Sequence, residues 1–406
     1  MFDLNLINQQ LIKNKNLKAI YNCIFENRGI SRAEVAKRMS LSKTAVSSLV
    51  DELIEKRFVV DGGVRDSDNV GRKPNSLQLR SNCHYVFVLN WMVRIVECSI
   101  VDVTGGCVFQ YNATLSPDKQ ENFLTLSKRI VYEQLLKQVD ADTVLGVCVI
   151  FSAMIDLEKE EIYSTTVSLS GKGSQDLVSA LPGSFPGFSV ALLQDTCCYA
   201  YAEKVYTKIL EPDFAYINFS LGIGSALFIG GELLGGASGS HSQFGHFSLD
   251  PNGKLCSCGN RGCLETLLTE NMLKERVEAL GISPALHQLS RITYADLGKA
   301  AVYGDTIAQQ VIRSMAREFT IALADLACVV RPTLVVLGGH CKDLGTLFLN
   351  EIKQNLKSIG FRRMIDTMDL RYTELDRDAY LNGAMKYFFD IHYVFTEDMT
   401  GDFFIG

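Results

Sequence analysis

Four side chains able to bind a metal fall within eighteen positions of this 406-residue chain: His246, Cys256, Cys258 and Cys263, in the stretch HFSLDPNGKLCSCGNRGCLE. Three thiolates and one imidazole make a closed tetrahedral set, which is how zinc is held as a structural ion. Gly259 and Gly262 lie between the last two thiols, where a tight metal loop needs backbone freedom. The other reading is three buried free cysteines near an unrelated histidine. A metal loop in mid-chain needs a folded body on both sides to fix its ends, and that constrains everything else.

At this length one core does not suffice, and two or three domains are expected. Apolar residues make up 47% of the chain, enough to bury large cores. The 12 cysteines follow no paired pattern, the opening MFDLNLINQQ has no charged and then apolar region, and no window approaches eighteen uninterrupted apolar residues. The expectation is a cytoplasmic protein with reduced thiols and no membrane insertion. The net charge of -6 is uneven: residues 1–80 hold 14 Lys and Arg against 9 Asp and Glu, and the remainder 26 against 37. A basic head on an acidic body suggests that the first part alone meets a polyanion.

In that head, Leu17, Ile20, Ile24 and Phe25 recur at helical spacing up to Gly29. Ser31 and Glu34 form a capping box for a short helix, and Ser42 is the next N-cap, opening a helix from Lys43 to about Lys56. Two short helices with a tight connection read as a helix-turn-helix. Ser31, Arg32, Ser42, Lys43, Thr44, Ser47 and Ser48 are the candidate DNA contacts on it. Phe58 to Val60 and Ser76 to Leu79 read as the strands of a wing, with a turn at Gly62 and Gly63. Arg72 and Lys73, in a short basic loop, would sit on phosphates or in a minor groove. The alternative is a helical dimerisation module with a solvated basic face.

Beyond residue 84 the pattern is α/β. Tyr85–Leu89, Ile95–Val101 and Cys107–Phe109 read as a meander, followed by a helix over about 122–137 and strands at Val144–Phe151 and Ser189–Leu193. A helix from Cys197 to Tyr206 comes next. The scheme then repeats with strands at Phe214–Leu221 and Ala226–Ile229, a helical stretch to about Val330, strands at Leu334–Gly339 and Asp369–Tyr372, and a helix from Ala379 to Phe389. Two such lobes fit a ribonuclease-H-like, actin/hexokinase-type architecture. The expected divisions are a winged helix-turn-helix at 1–80, a first lobe at 81–193 completed by a C-terminal helix at about 379–406, and a second lobe at 194–378 carrying the metal loop.

The helix-turn-helix, the GRKP loop at 71–74 and the GH…CxCGxxGCLE metal loop together resemble the ROK family of sugar-responsive repressors and sugar kinases, in its repressor branch. The resemblance covers about residues 15–390 and implies a structural zinc on His246, Cys256, Cys258 and Cys263. It also implies a sugar or sugar-derivative effector bound between the lobes by Gln194, Asp195, Gln243, His246 and Glu265. Asp195 stands where the kinases have their general base. The flanking asparagines of that motif are replaced by Gln194 and Cys197, and the carboxylate of the family's GEIGH is replaced by Gln243. The first phosphate loop of the kinases is matched by Leu89 to Arg94, which has no glycine there for close approach of phosphate oxygens to the backbone. The second survives as Ser220 to Gly224 without its threonine. The expected function is therefore a non-enzymatic regulator, a repressor of carbohydrate-metabolism genes. It would bind a pseudo-palindromic double-stranded operator as a homodimer or homotetramer. Two alternatives stay open: an active sugar kinase with a DNA-binding appendage, and a repressor controlled by a protein partner.

Overall fold

The computed structural model describes residues 4–64, 75–115, 122–156, 161–163, 177, 179–236 and 242–395. It opens with helices α1 (Leu4–Glu26), α2 (Arg32–Met39) and α3 (Lys43–Glu55), followed by the strands β1 (Val59–Val64) and β2 (Asn75–Leu79). The capping box at α2 forms as the sequence predicts. The Glu34 N–H donates to Ser31 Oγ at 3.3 Å, and the Ser31 N–H donates to the Glu34 carboxylate at 2.8 Å. Leu17, Ile20 and Ile24 of α1, Val35 of α2, and Val46, Val50 and Leu53 of α3 are fully buried. Their three- and four-residue spacing puts each set on one helix face.

The expected turn at Gly62 and Gly63 is not a turn. Both glycines lie inside β1, where the pairing with β2 slips between Asp61 and Val64. A Cβ on Gly62 would meet the side chains of Ser76 and Gln78, so close approach across a bulge accounts for the glycine. Arg72 and Lys73 fall outside the described residues.

The body contains two five-stranded sheets. The first is built from β3 (Tyr85–Met92), β4 (Ile95–Asp102), β5 (Cys107–Thr114), β6 (Val144–Phe151) and β9 (Ser189–Gln194), in the order 5-4-3-6-9. A short hairpin, β7 (Met154–Asp156) and β8 (Glu161–Tyr163), precedes β9, and α4 (Phe123–Glu133) covers one face. The second sheet uses β10 (Phe214–Phe219), β11 (Ile223–Ile229), β12 (Glu232–Leu233), β13 (Leu334–Gly339) and β14 (Asp369–Tyr372), in the order 12-11-10-13-14. The two orders are the same: each lobe's first strand pairs antiparallel with its second and parallel with its fourth.

Both first strands are buried on both faces, so their sequences are apolar on both sides, broken only by Asn90 in β3 and Asn218 in β10. Phe87, Leu89 and Trp91 of β3 point to the outer core under α4, while Val86 and Val88 point to a central core. In the second lobe Ala215 and Ile217 face the outer core, built on the long helix Thr306–Val330. Phe214 and Tyr216 face the centre. The central core holds α5 (Asp195–Tyr206) and the C-terminal helix Ala379–Tyr387, and it runs without interruption into the helix-turn-helix module. Tyr21 of α1 donates to the Val103 carbonyl at 2.8 Å, and Phe395 lies edge-on to Phe58 at 5.0 Å. Among the described residues no helix is long and apolar enough to cross a membrane.

Candidate effector cleft and metal centre

A cleft of about 550 Å³ opens where β6, β9 and β10 end, and it contains all five predicted effector residues: Gln194, Asp195, Gln243, His246 and Glu265. Carboxyl ends of parallel strands are where open α/β sheets place their ligands. Asp195 is the first residue of α5, two positions earlier than the sequence suggested. The reason is Gln194, which acts as the cap: its Oε1 accepts from the Cys197 N–H at 2.9 Å, and its Nε2 donates to Asp195 Oδ1 at 2.9 Å. Asp195 Oδ1 also accepts from the Thr196 N–H at 2.6 Å. Burial pushes the Asp195 carboxyl up from the usual range, while hydrogen bonds from the Thr196 N–H and from the Ser152 and Thr196 hydroxyls act against it.

Opposite Asp195 lies the glycine hairpin. The sequence reading starts its second strand at Ala226, but the ladder begins three residues earlier. Ile223 and Gly224 already pair with Phe219 and Asn218. Only Ser220, Leu221 and Gly222 form the turn, closed by the Ser220 N–H donating to the Gly222 carbonyl at 2.9 Å. Glu265 Oε2 accepts from the Ile223 N–H at 3.0 Å, and a Cβ on Gly222 would collide with the same carboxylate. The glycine lets an internal side chain reach the backbone.

The hairpin after β3 is built differently. It turns through Val93 and Arg94, the latter in the left-handed region at φ 60°. Trp91 beside it is fully buried, stacks on Phe123 at 5.1 Å, and donates Nε1–H to Ser127 Oγ at 3.0 Å.

The four predicted metal ligands come together. The ligand atoms of His246, Cys256, Cys258 and Cys263 lie within 4.8 Å of one another. His246 Nδ1 is 3.6 Å from Cys256 Sγ, and Cys258 Sγ is 3.7 Å from Cys263 Sγ. Zinc–sulfur bonds of about 2.3 Å and zinc–nitrogen bonds of about 2.0 Å give tetrahedral edges near those two values. The residues therefore fit a metal of this kind. Strand-like bridges at Ser248–Cys263 and Leu255–Arg261 hold the loop's ends, and the Cys256 N–H donates to the Asn260 carbonyl at 2.7 Å. Gly262 takes φ 61° and passes so close to Asp250 that a side chain there would strike its carbonyl.

The predicted DNA contacts divide. Lys43, Thr44 and Ser48 are exposed at the start of α3. Ser42 is exposed and caps α3, and Ser47 is half-buried. Ser31 is buried and occupied with capping, while Arg32 pairs with Asp51 at 2.7 Å and approaches Asp61 at 3.6 Å. These last two side chains tie the module together. Two features escaped the sequence reading. Ser152, immediately after β6, bonds to Asp195, and its strand-end position was the available signal. A second cavity of about 430 Å³ lies at the ends of β10, β13 and β14 and shares Asn218 and Ser220 with the cleft.

Comparison with known proteins agrees with this architecture. The ROK family model matches residues 115–390, and a winged helix-turn-helix DNA-binding model matches residues 13–60. A putative xylose repressor from Caldicellulosiruptor sp. (strain Rt8B.4) is 27% identical over 388 residues, 93% of this chain and 96% of its own length. The crystal structure of a ROK family transcriptional regulator, a homolog of E. coli MLC protein, superposes with a TM-score of 0.76 at 21% identity, over 93% of this chain and 96% of that one. A ROK family glucokinase from Streptomyces griseus, solved with glucose and AMPPNP, superposes with a TM-score of 0.58 at 22% identity, over 74% of this chain and 98% of that one. With its family model matching residues 115–390, more than half of its length, and a DNA-binding module ahead of them, the chain belongs to the ROK family.

Proposed function

We propose that this protein is a sequence-specific transcriptional repressor of carbohydrate-metabolism genes, released or retained by a sugar effector in the interlobe cleft. The observation that carries this reading is the continuous central core. It joins the module presenting Lys43, Thr44 and Ser48 to the helix whose first residue, Asp195, lines the cleft. The repressor name of the similar Caldicellulosiruptor protein supports it.

A dimer sets two α3 helices about one DNA turn apart over a pseudo-palindromic site. Lys43 then meets phosphate or a base edge, with Thr44 and Ser48 as hydrogen-bonding partners. The effector acts through its unequal affinity for the DNA-competent and DNA-incompetent arrangements of the lobes. His246, Cys256, Cys258 and Cys263 would hold one structural zinc per chain. That ion would fix the orientation of His246 and Glu265, which lie at the loop's two ends and line the cleft.

Footprinting on the promoter region of its own gene tests the reading. A protected, salt-sensitive site is expected, with Lys43→Ala weakening binding; affinity equal to that for random DNA would refute it. Asp195 favours one second reading, an active sugar kinase, because a carboxylate there can take a proton from a sugar hydroxyl. Coupled ATP-consumption measurements over pentoses, hexoses and amino sugars distinguish the two. No turnover is expected, and turnover abolished by Asp195→Asn would establish the kinase.

A further inference from the structure

We infer that the effector is an uncharged sugar and that the cleft rejects the phosphate ester of that same sugar. The inference rests on the effector reading above and deepens it.

Two features of the cleft would ordinarily attract an anion. One is the N-terminus of α5, where helix amides have no partner in the helix itself; the other is the glycine hairpin, where the backbone lacks side chains to keep an anion away. Both are already satisfied from within the chain. At α5, the Thr196 N–H donates to Asp195 Oδ1 at 2.6 Å and the Cys197 N–H to Gln194 Oε1 at 2.9 Å. At the hairpin, the Ile223 N–H donates to Glu265 Oε2 at 3.0 Å, and that carboxylate fills the space beside Gly222.

The fixed charge points the same way. Among the described residues lining the cleft, Asp195 and Glu265 carry negative charge and none is lysine or arginine. A phosphate dianion entering here meets two carboxylates, finds no lysine or arginine, and must displace an internal acceptor to gain the Ile223 donor. A neutral polyol meets the opposite situation. Its hydroxyls are donors, and carboxylate oxygens with remaining lone pairs are the strongest acceptors a protein offers. Gln243, where the family's kinases carry a carboxylate, keeps an acceptor and adds a donor without adding charge.

A place in a reaction sequence follows. The signal is supplied by a reaction that releases free sugar, such as hydrolysis of a glycosidic bond, and is consumed by phosphorylation of that sugar.

The test uses the full-length, zinc-loaded protein. Thermal shift and titration calorimetry are run with a panel of free pentoses, hexoses and N-acetylhexosamines, with the phosphate ester of each, and with inorganic phosphate, at fixed ionic strength. At least one free sugar is expected to bind about tenfold or more tightly than its ester, a difference of about 1.4 kcal/mol. Inorganic phosphate is expected neither to raise the Tm nor to compete. An ester that binds as well as its parent sugar overturns this inference and leaves the effector reading standing. Silence across the whole panel, with operator protection intact, overturns both the inference and the effector reading while sparing DNA binding. Glu265→Gln keeps an oxygen for the Ile223 N–H and removes the charge, so the ratio of ester to free-sugar Kd should fall toward one. An unchanged ratio would mean that the charge of Glu265 is not what excludes the ester.

Discussion

The two lobes share one strand order and differ in the hairpin that follows the first strand. In the first lobe the strand end that leads into the hairpin is locked into the core, while the turn itself, Met92 to Ile95, stays exposed: Trp91 is sealed between Phe123 and Phe151, and its indole N–H is satisfied by Ser127. In the second lobe the hairpin keeps its glycine and its open approach, and Glu265 occupies it. The first hairpin is anchored by an aromatic side chain in the core, and the second by a carboxylate that lines the cleft. Topology therefore fixes where a hairpin lies, while a few side chains decide what anchors it there.

The largest effect should come from the polar side of this comparison. Chelating the metal, or replacing Cys258 with serine, should remove zinc and cost stability on the order of 10 kcal/mol, since metal binding of this type is folding free energy. Sugar affinity should be lost with it, because His246 and Glu265 lie at the loop's two ends. Zinc analysis, calorimetry and sugar titration on the same preparation measure this, and loss of zinc with unchanged affinity would separate loop from cleft. Next comes the packed side. Trp91→Ala should cost about 3–5 kcal/mol in denaturant unfolding, the usual loss for a fully buried aromatic. The folded fraction should keep its preference for free sugar over ester, and a changed preference would mean that the first hairpin also reads the ligand.

A smaller effect is expected from Asp195→Asn. Sugar affinity should fall about tenfold with the loss of a charged acceptor, while unfolding stability is unchanged or higher, because burial already disfavours the charged form. A large loss of stability would make Asp195 a structural cap and remove it from the cleft's chemistry. The smallest effect gauges the core that both lobes share. Burial, helped by the nearby Lys18 cation, lowers the His392 pKa from 6.5 to about 4. Between those values the unfolded chain binds a proton that the folded chain does not, so stability present above pH 6.5 is lost as pH falls toward 4. Melting curves across that range should be flatter for His392→Gln than for the parent.

Much of this molecule is readable from its residues, and the failures have local causes. The caps at Ser31 and Ser42 were legible because cap chemistry is confined to three or four positions. The metal set was legible because its ligands lie close in sequence. The glycine hairpin was misjudged: Gly222, Ile223 and Gly224 read as loop, yet two of them are in the ladder. The glycines there serve Glu265 and Thr196, which approach from other parts of the chain. The same holds for Arg32, whose partners Asp51 and Asp61 lie on α3 and β1 and leave it little freedom to reach DNA. The second cavity is formed by the end of β10 and, more than a hundred positions later, by the ends of β13 and β14, and no local pattern announces such a site.

Helix α5 has a mechanical consequence. Its first residue forms part of the cleft wall, and its last, Tyr206, rests edge-on against Phe25 of α1 at 5.7 Å. Between them Glu203 is clamped by Arg371 at 2.9 Å, and the Tyr201 hydroxyl donates to Asp390 at 2.7 Å, the same carboxylate that accepts from Asn22 of α1 at 3.0 Å. Twelve residues at about 1.5 Å each make a strut of about 18 Å with no loop in it to absorb movement. Asp195 and the aromatic seat of α1 are thus two ends of one stiff axle, and any twist applied at the cleft end is delivered to the seat of the DNA-binding module.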